Sequence, residues 1–321
     1  MHDSLPTRRH FLAASAAAAA WLATPPAEAA VFHTTLHKAM IIDHVTEAAM
    51  TPLKEAGFEG VESRHICPEE EAAKGREIAK KLGMRVHSVM RGWAEFNSED
   101  PAKVESSMDL TRQAMRAAKA YGADDILLVP CRVGGMPMPE AWEFKIDFDP
   151  KTLHVKSVVE GDNTKYAEYI AAQNRSTDTS RIMVEKLIPL AEELKILIGL
   201  ENVWNNLWVL PDFYKSFVTS FDTKWVRSYF DIGNHVKYKP PQDWIHVLGP
   251  DLIIKLHFKG FKLNPAGHGG TFVHLREDSI DWPAVRKALD DVNYNGWGSI
   301  EEGGLPLKEF ARRFDSIAAG E

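Results

Sequence analysis

From about position 38 the chain alternates short apolar runs with longer stretches whose apolar residues recur at helical spacing. Four of the later apolar runs close on a side chain able to hold a metal. Ile196 to Leu200 closes on Glu201, Tyr229-Phe230 on Asp231, Ile253 to Leu256 on His257, and Trp297 to Ile300 on Glu301. Short apolar runs between turn residues read as buried strands, and stripes at i, i+3 and i+4 read as amphipathic helices. Strands that alternate with helices predict a parallel sheet. If that sheet closes into a barrel, the C-terminal ends of all its strands converge on one mouth.

The pattern predicts eight such units. The strands are Lys38 to Ile42, Gly60 to Glu62, Arg85 to Met90, Ile126 to Val129 and the four named above. The helices between them are Val45 to Ala56, Pro68 to Leu82, Pro101 to Tyr121, Thr179 to Leu194, Pro211 to Phe221, Pro241 to Leu248, Trp282 to Val292 and Pro306 to Ile317. Several open on Pro and close on Gly, as Pro101 and Gly122 do, which is the usual asymmetry of helix ends. The alternation breaks twice. Cys131 to Gly161 reads as a loop or β-hairpin after the fourth strand, and the Gly-rich Phe261 to Arg276 as an insertion after the seventh. The fold class is therefore α/β, a (β/α)8 TIM barrel with insertions after strands 4 and 7. Long loops of that kind lie at the catalytic face.

The first residues do not share the pattern. Arg8-Arg9 precede an Ala-rich run from Ala13 to Ala23, and Ala27-Glu28-Ala29 offers a cleavage site. We read residues 1–29 as a twin-arginine signal peptide of a periplasmic or otherwise exported protein and residues 30–321 as the barrel. The apolar run is too short for a stable membrane span. A chain of 321 residues accommodates one barrel of about 250 residues plus insertions. The net charge of −7 argues against a nucleic-acid partner. Only Cys67 and Cys131 are present, which excludes a disulfide framework and favours two unpaired thiols.

Three carboxylates and one imidazole at one mouth make a divalent-cation site. Oxygen ligands suit Mg²⁺ or Mn²⁺, and the imidazole moves the choice toward Mn²⁺, Co²⁺ or Fe²⁺ over Ca²⁺. Mn²⁺ is the first expectation, with Co²⁺, Mg²⁺, Fe²⁺ or Zn²⁺ as alternatives. Such a site polarises a carbonyl, while the two glutamates, Glu201 and Glu301, can remove and return a proton on the neighbouring carbon through an enediolate. Glu62, His87, Arg91, Trp93, Trp204, Asn234 and Lys259 lie at or just beyond strand ends and are expected to contact substrate. His268 and His274 are read as solvated loop histidines.

Six stretches together carry a resemblance. They are Gly57 to Glu62, Gly122 to Pro130, Leu200 to Asn202, Phe230 to Asn234, Leu256 to Lys259 and Gly296 to Glu301. In these the chain resembles the sugar isomerase/epimerase superfamily with the xylose isomerase-like barrel, over roughly Lys38 to Ile317. The resemblance implies metal ligands at Glu201, Asp231, His257 and Glu301, with Glu201 and Glu301 also the acid/base pair. It implies a carbohydrate substrate, a free sugar, keto-sugar or cyclitol, and is compatible with a homo-oligomer. The chain departs from the family at Asn234, where a His is usual, and at Gly260, where Lys259 would usually be followed by Asp. These departures leave open a lyase, hydrolase or dehydratase acting on a 3-keto-glycoside with the same metal and base. More distant readings are a non-catalytic sugar-binding barrel and a phosphodiesterase of the endonuclease IV kind.

Overall fold

The computed structural model describes residues 31–321, and the expected signal segment, residues 1–29, lies outside the described residues. Eight parallel strands close into a barrel. In chain order they are β1 (Leu36–Ile42), β2 (Gly60–Ser63), β3 (Arg85–Trp93), β4 (Asp125–Val129), β7 (Leu197–Glu201), β8 (Val226–Asp231), β9 (Ile253–Phe258) and β12 (Gly296–Ile300). The barrel closes where β12 pairs with β1, Leu36 opposite Gly296 and Met40 opposite Ile300. This is the (β/α)8 fold that the alternation predicts.

Helices α1 (Glu47–Glu55), α2 (Glu69–Lys81), α3 (Pro101–Tyr121), α4 (Ala167–Leu194), α5 (Pro211–Thr219), α6 (Pro241–Leu248), α7 (Trp282–Asp291) and α8 (Leu307–Ala318) form the outer layer. Their ends follow local chemistry. Thr46 and Asp100 accept from the backbone N–H of Ala49 and Ala102 and so cap α1 and α3. Gly122 takes the left-handed conformation that ends α3. The main core lies between strands and helices and includes the fully buried Trp244, Phe213, Phe217 and Phe258. A smaller apolar cluster, Leu127, Val129 and Tyr229, packs separately against Met90 and Val203.

Most boundaries shift by a few residues, and two of the differences have a visible cause. α4 begins at Ala167, twelve residues before the Thr179 that hydrophobic spacing marks. Its first half buries Tyr169, Gln173, Ser176 and Thr177, polar side chains that bond to one another or to neighbouring segments. Gln173 Nε2 donates to Thr177 Oγ1 at 3.1 Å, as does Trp208 Nε1 at 3.1 Å. A buried face made of polar groups leaves no apolar stripe to read. β3 runs on to Trp93 through an irregularity at Met90 to Gly92, where Gly92 has φ +67°.

Both insertions are present. The first is mostly irregular and holds one short ribbon, β5 (Asp147–Phe148) against β6 (Val155–Ser157). The second is a hairpin of β10 (Gly260–Leu263) and β11 (Gly270–Val273). Trp142 from the first stacks on His268 from the second, with ring centroids 4.3 Å apart. Cys67 and Cys131 are free and buried. Among the described residues no helix is long and apolar enough to cross a membrane.

Candidate metal centre

The register of three adjacent strands sets the site. Asp231 on β8 pairs with His257 on β9, and His257 pairs with Ser299 on β12, two residues before Glu301. Glu201 ends β7 one strand further round, opposite Tyr229. Glu201, Asp231, His257 and Glu301 each present one ligand-type atom, and all four atoms lie within 4.8 Å of one another. From His257 Nδ1 the distances are 3.3 Å to Glu301 Oε2, 3.6 Å to Glu201 Oε1 and 3.9 Å to Asp231 Oδ2.

Neighbouring groups aim these side chains. The N–H groups of Gly233 and Asn234 both donate to Asp231 Oδ1 at 2.7 Å, which leaves Oδ2 turned toward the cluster. Asn202 brackets the Asp231 backbone, donating to its carbonyl at 2.8 Å and accepting from its N–H at 2.6 Å. Asn234 Nδ2 donates to Glu201 Oε1 at 3.2 Å. Gly233 is the residue that lets β8 and β9 end so close together, because a Cβ there would lie 2.2 Å from the Lys259 carbonyl oxygen.

The electrostatics are strained toward neutrality. Burial raises the Asp231 carboxyl to about 7 and also raises Glu201, although His257 opposes the shift at Glu201. Glu301 is buried too, but the neighbouring His257 imidazole and Lys259 ammonium outweigh that and hold it well below the usual range. His257 rises well above an ordinary imidazole against the cost of its own burial, chiefly through Glu62, Glu201 and Glu301. Lys259 Nζ lies 2.6 Å from Glu301 Oε2 and 3.6 Å from Asp231 Oδ2.

Asp231 Oδ2 and His257 Nδ1 are buried without a hydrogen-bond partner, and Glu301 Oε2 is met by the Lys259 ammonium at 2.6 Å. Buried polar atoms are rarely left unpartnered. Three oxygens and one nitrogen within 4.8 Å of one another match the donor set of a divalent cation of the Mn²⁺, Co²⁺ or Mg²⁺ type.

The expected substrate-contact residues fall into two groups. Asn234 and Lys259 join the cluster, and Trp204 stands at its edge, its indole N–H bonded to the Asn234 carbonyl. Glu62, His87 and Arg91 are buried and engaged with other protein groups. Glu62 is fully buried and accepts from Tyr229 OH at 2.7 Å, with its Oε2 also 2.8 Å from His257 Nε2. His87 is fully buried, 2.9 Å from Ser299 Oγ and stacked on Trp297. Arg91 is buried and spends its guanidinium on the Trp93 and Ser107 carbonyls and Thr111 Oγ1. Trp93 is half exposed and lines a separate surface cleft beside Arg132. Pleating points a strand-end side chain inward, but burial decides whether inward means the mouth or the packed layer beneath it.

Phe272, Tyr229 and Asn202 also belong to the site's surroundings, although none is among the site residues the sequence pattern marks. Phe272 packs on Trp204 with centroids 4.8 Å apart and lines a cavity of about 500 Å³ together with Lys259, His274, Glu301 and Glu302. His274 is half-buried and bonded to Glu302 at 3.0 Å, so it is not the solvated loop residue expected, whereas His268 is exposed. Tyr229 and Asn202 flank Asp231 and Glu201 in sequence, and that adjacency was the available signal.

A family model described as xylose isomerase-like TIM barrel matches residues 51–312. Among solved structures, a D-tagatose 3-epimerase-like protein superposes with a TM-score of 0.67 at 16% identity, covering 88% of this chain and 97% of the other. An L-ribulose 3-epimerase gives 0.65 at 13% identity over 89% and 95%. The apo 3-keto-D-glucoside 4-epimerase of E. coli gives 0.63 at 12% identity over 88% and 99%. No curated protein matches the chain by sequence.

Proposed function

The chain belongs to the xylose isomerase-like TIM barrel family, and from that premise we propose that it is a metal-dependent isomerase or epimerase of a free sugar, keto-sugar or cyclitol. The observation that carries this is the convergence of Glu201, Asp231, His257 and Glu301, with Asp231 Oδ2 and His257 Nδ1 left without a hydrogen-bond partner. The epimerase names of the structural neighbours support the same reaction class.

Glu201, Asp231, His257 and Glu301 would hold the ion, with Mn²⁺ the first expectation. When bound, it supplies positive charge beside the substrate's carbonyl and hydroxyl oxygens, which makes the neighbouring C–H more acidic. The proton chemistry falls to this chain's own carboxylates. Glu201 and Glu301 reach the cluster from strands β7 and β12, so one can take a proton from carbon and the other return it. Lys259 stands next to Glu301 and is placed to donate to a substrate oxygen. Asn234 holds Glu201 in position. Trp204 and Phe272 form an apolar wall against which a sugar face can pack. Export by the twin-arginine route belongs to the same proposal and favours unphosphorylated substrates.

The test is incubation with Mn²⁺ in D₂O across free ketoses, aldoses, cyclitols and 3-keto-glycosides, followed by NMR. The proposal expects deuterium at a single carbon adjacent to a carbonyl, with inversion or isomerisation, and loss of exchange in Glu201→Gln. Exchange with departure of a substituent would instead identify a lyase. No exchange on any substrate, or exchange undiminished in Glu201→Gln, contradicts the proposal.

A further inference from the structure

A second convergence of ligand-type side chains lies away from the barrel mouth's four residues, on the segments that follow β1 and β2. His44 comes just after β1, His65 and Cys67 just after β2, and Glu71 in the first turn of α2. One ligand atom from each of His65, Cys67 and Glu71 lies within 4.8 Å of the other two. His44 Nδ1 is 3.1 Å from His65 Nδ1, and His65 Nδ1 is 3.4 Å from Glu71 Oε1.

From these residues we infer a second metal site, of the zinc type, formed by His65, Cys67 and Glu71, on which His44, 3.1 Å from His65 Nδ1 but outside that three-residue group, would close as the fourth ligand. Ligands on a tetrahedral zinc, with metal–nitrogen bonds of about 2.0–2.1 Å and metal–sulfur bonds of about 2.3 Å, stand roughly 3.3–3.6 Å apart. The His44–His65 and His65–Glu71 separations lie close to that edge length. Two imidazole Nδ1 atoms facing each other can share at most one proton between them, whereas both lone pairs can bind one cation.

The surroundings are those of a held site. Ser63 Oγ accepts from the His65 N–H at 3.1 Å and fixes the turn that carries His65. Cys67 is buried, with its sulfur 3.2 Å from the Tyr121 hydroxyl. On metal binding the Cys67 S–H bond would break, sulfur would keep the electron pair and bond to the metal, and the proton would leave to solvent. Tyr121, whose hydroxyl is strongly biased toward staying protonated by burial, would then donate to the thiolate and orient it. His44 and Glu71 are exposed, which gives the ion a way in. A thiolate with imidazoles selects Zn²⁺ or Co²⁺, while the carboxylate-rich mouth suits harder ions, so the chain would sort two metals. The second ion would staple the β1 and β2 loops to the start of α2.

Cobalt titration of the whole chain tests this, because thiolate-bound Co²⁺ gives a near-ultraviolet charge-transfer band and the mouth contains no sulfur. The expectation is two equivalents bound per chain. The thiolate band should be present in wild type and in Asp231→Asn, and absent in Cys67→Ser. Because Cys67 is buried, the paired change His44→Ala with His65→Ala serves as a second variant. It should lower the stoichiometry to one and remove the band while leaving Mn²⁺ binding unchanged. A single equivalent with no thiolate band overturns the inference, as does a band that persists in either variant.

Discussion

Glu62 Oε2 stands 2.8 Å from His257 Nε2, so the imidazole turns its other nitrogen, Nδ1, toward Glu201, Asp231 and Glu301. Tyr229 OH donates to the same Glu62 oxygen at 2.7 Å, which fixes the carboxylate in turn. A carboxylate behind a histidine sets the ring's tautomer and raises its basicity toward a metal. Replacing Glu62 by Gln removes that charge at nearly constant volume. Mn²⁺ affinity should fall by about 10–100-fold, measured by titration, although Glu62 makes no contact with the ion.

Lys259 should behave in the opposite way toward the ion. Its ammonium lies 2.6 Å from Glu301 and 3.6 Å from Asp231, so it repels an incoming cation while being placed to assist substrate. Lys259→Met should bind Mn²⁺ more tightly and turn over about 10²-fold more slowly, the scale seen when one donor to a developing oxyanion is removed. Weaker binding with unchanged turnover would show that Lys259 serves neither purpose.

Close approach of two strand ends gives a purely steric prediction. Gly233→Ala brings a Cβ to 2.2 Å from the Lys259 carbonyl. The change should destabilise the fold by about 1–3 kcal/mol and shift Asp231 away from His257, with loss of metal binding. Gly303→Ala, where no heavy atom lies within 4 Å, is the control and should alter neither. Chemical denaturation and Mn²⁺ titration of both variants check the pair.

His235 supplies a pH dependence. Burial lowers its imidazole to about 3, although its Nε2 lies 3.0 Å from the Val203 carbonyl. Between an unfolded value of about 6.5 and the folded one, the unfolded chain binds a proton that the folded chain does not. The stability owed to keeping His235 neutral is therefore complete above pH 6.5 and is lost as pH falls toward 3. The loss is about 2 kcal/mol by pH 5. Wild type minus His235→Gln stability should fall with that slope in acid, and a flat difference would contradict the burial argument. Using the difference matters because Asp125, raised to about 6 by burial despite its ion pair with Lys255, pulls the other way over part of the range.

What was legible in the sequence follows from these same residues. Strand ends at Glu201, Asp231, His257 and Glu301 could be read because an apolar run has a visible limit and parallel topology sends all such limits to one face. The roles of Glu62 and His87 could not. Their position at strands β2 and β3 points them inward, but only packing against Tyr229, Ser299 and Trp297 shows that they lie beneath the mouth. The early start of α4 was hidden because Gln173, Ser176 and Thr177 are buried by hydrogen bonding, which leaves no hydrophobic period. His44, His65, Cys67 and Glu71 come from three separate elements with no motif spacing, so only the fold brings them together.

The central claim is that four side chains from β7, β8, β9 and β12 make one divalent-cation site. It is tested most directly by Mn²⁺ titration of wild type and Asp231→Asn, with free Mn²⁺ followed by electron paramagnetic resonance. The account predicts one tightly bound Mn²⁺ per wild-type chain and none at the same concentrations in Asp231→Asn, with the fold intact by circular dichroism. Binding undiminished in Asp231→Asn, or no binding by wild type at millimolar Mn²⁺, would contradict it.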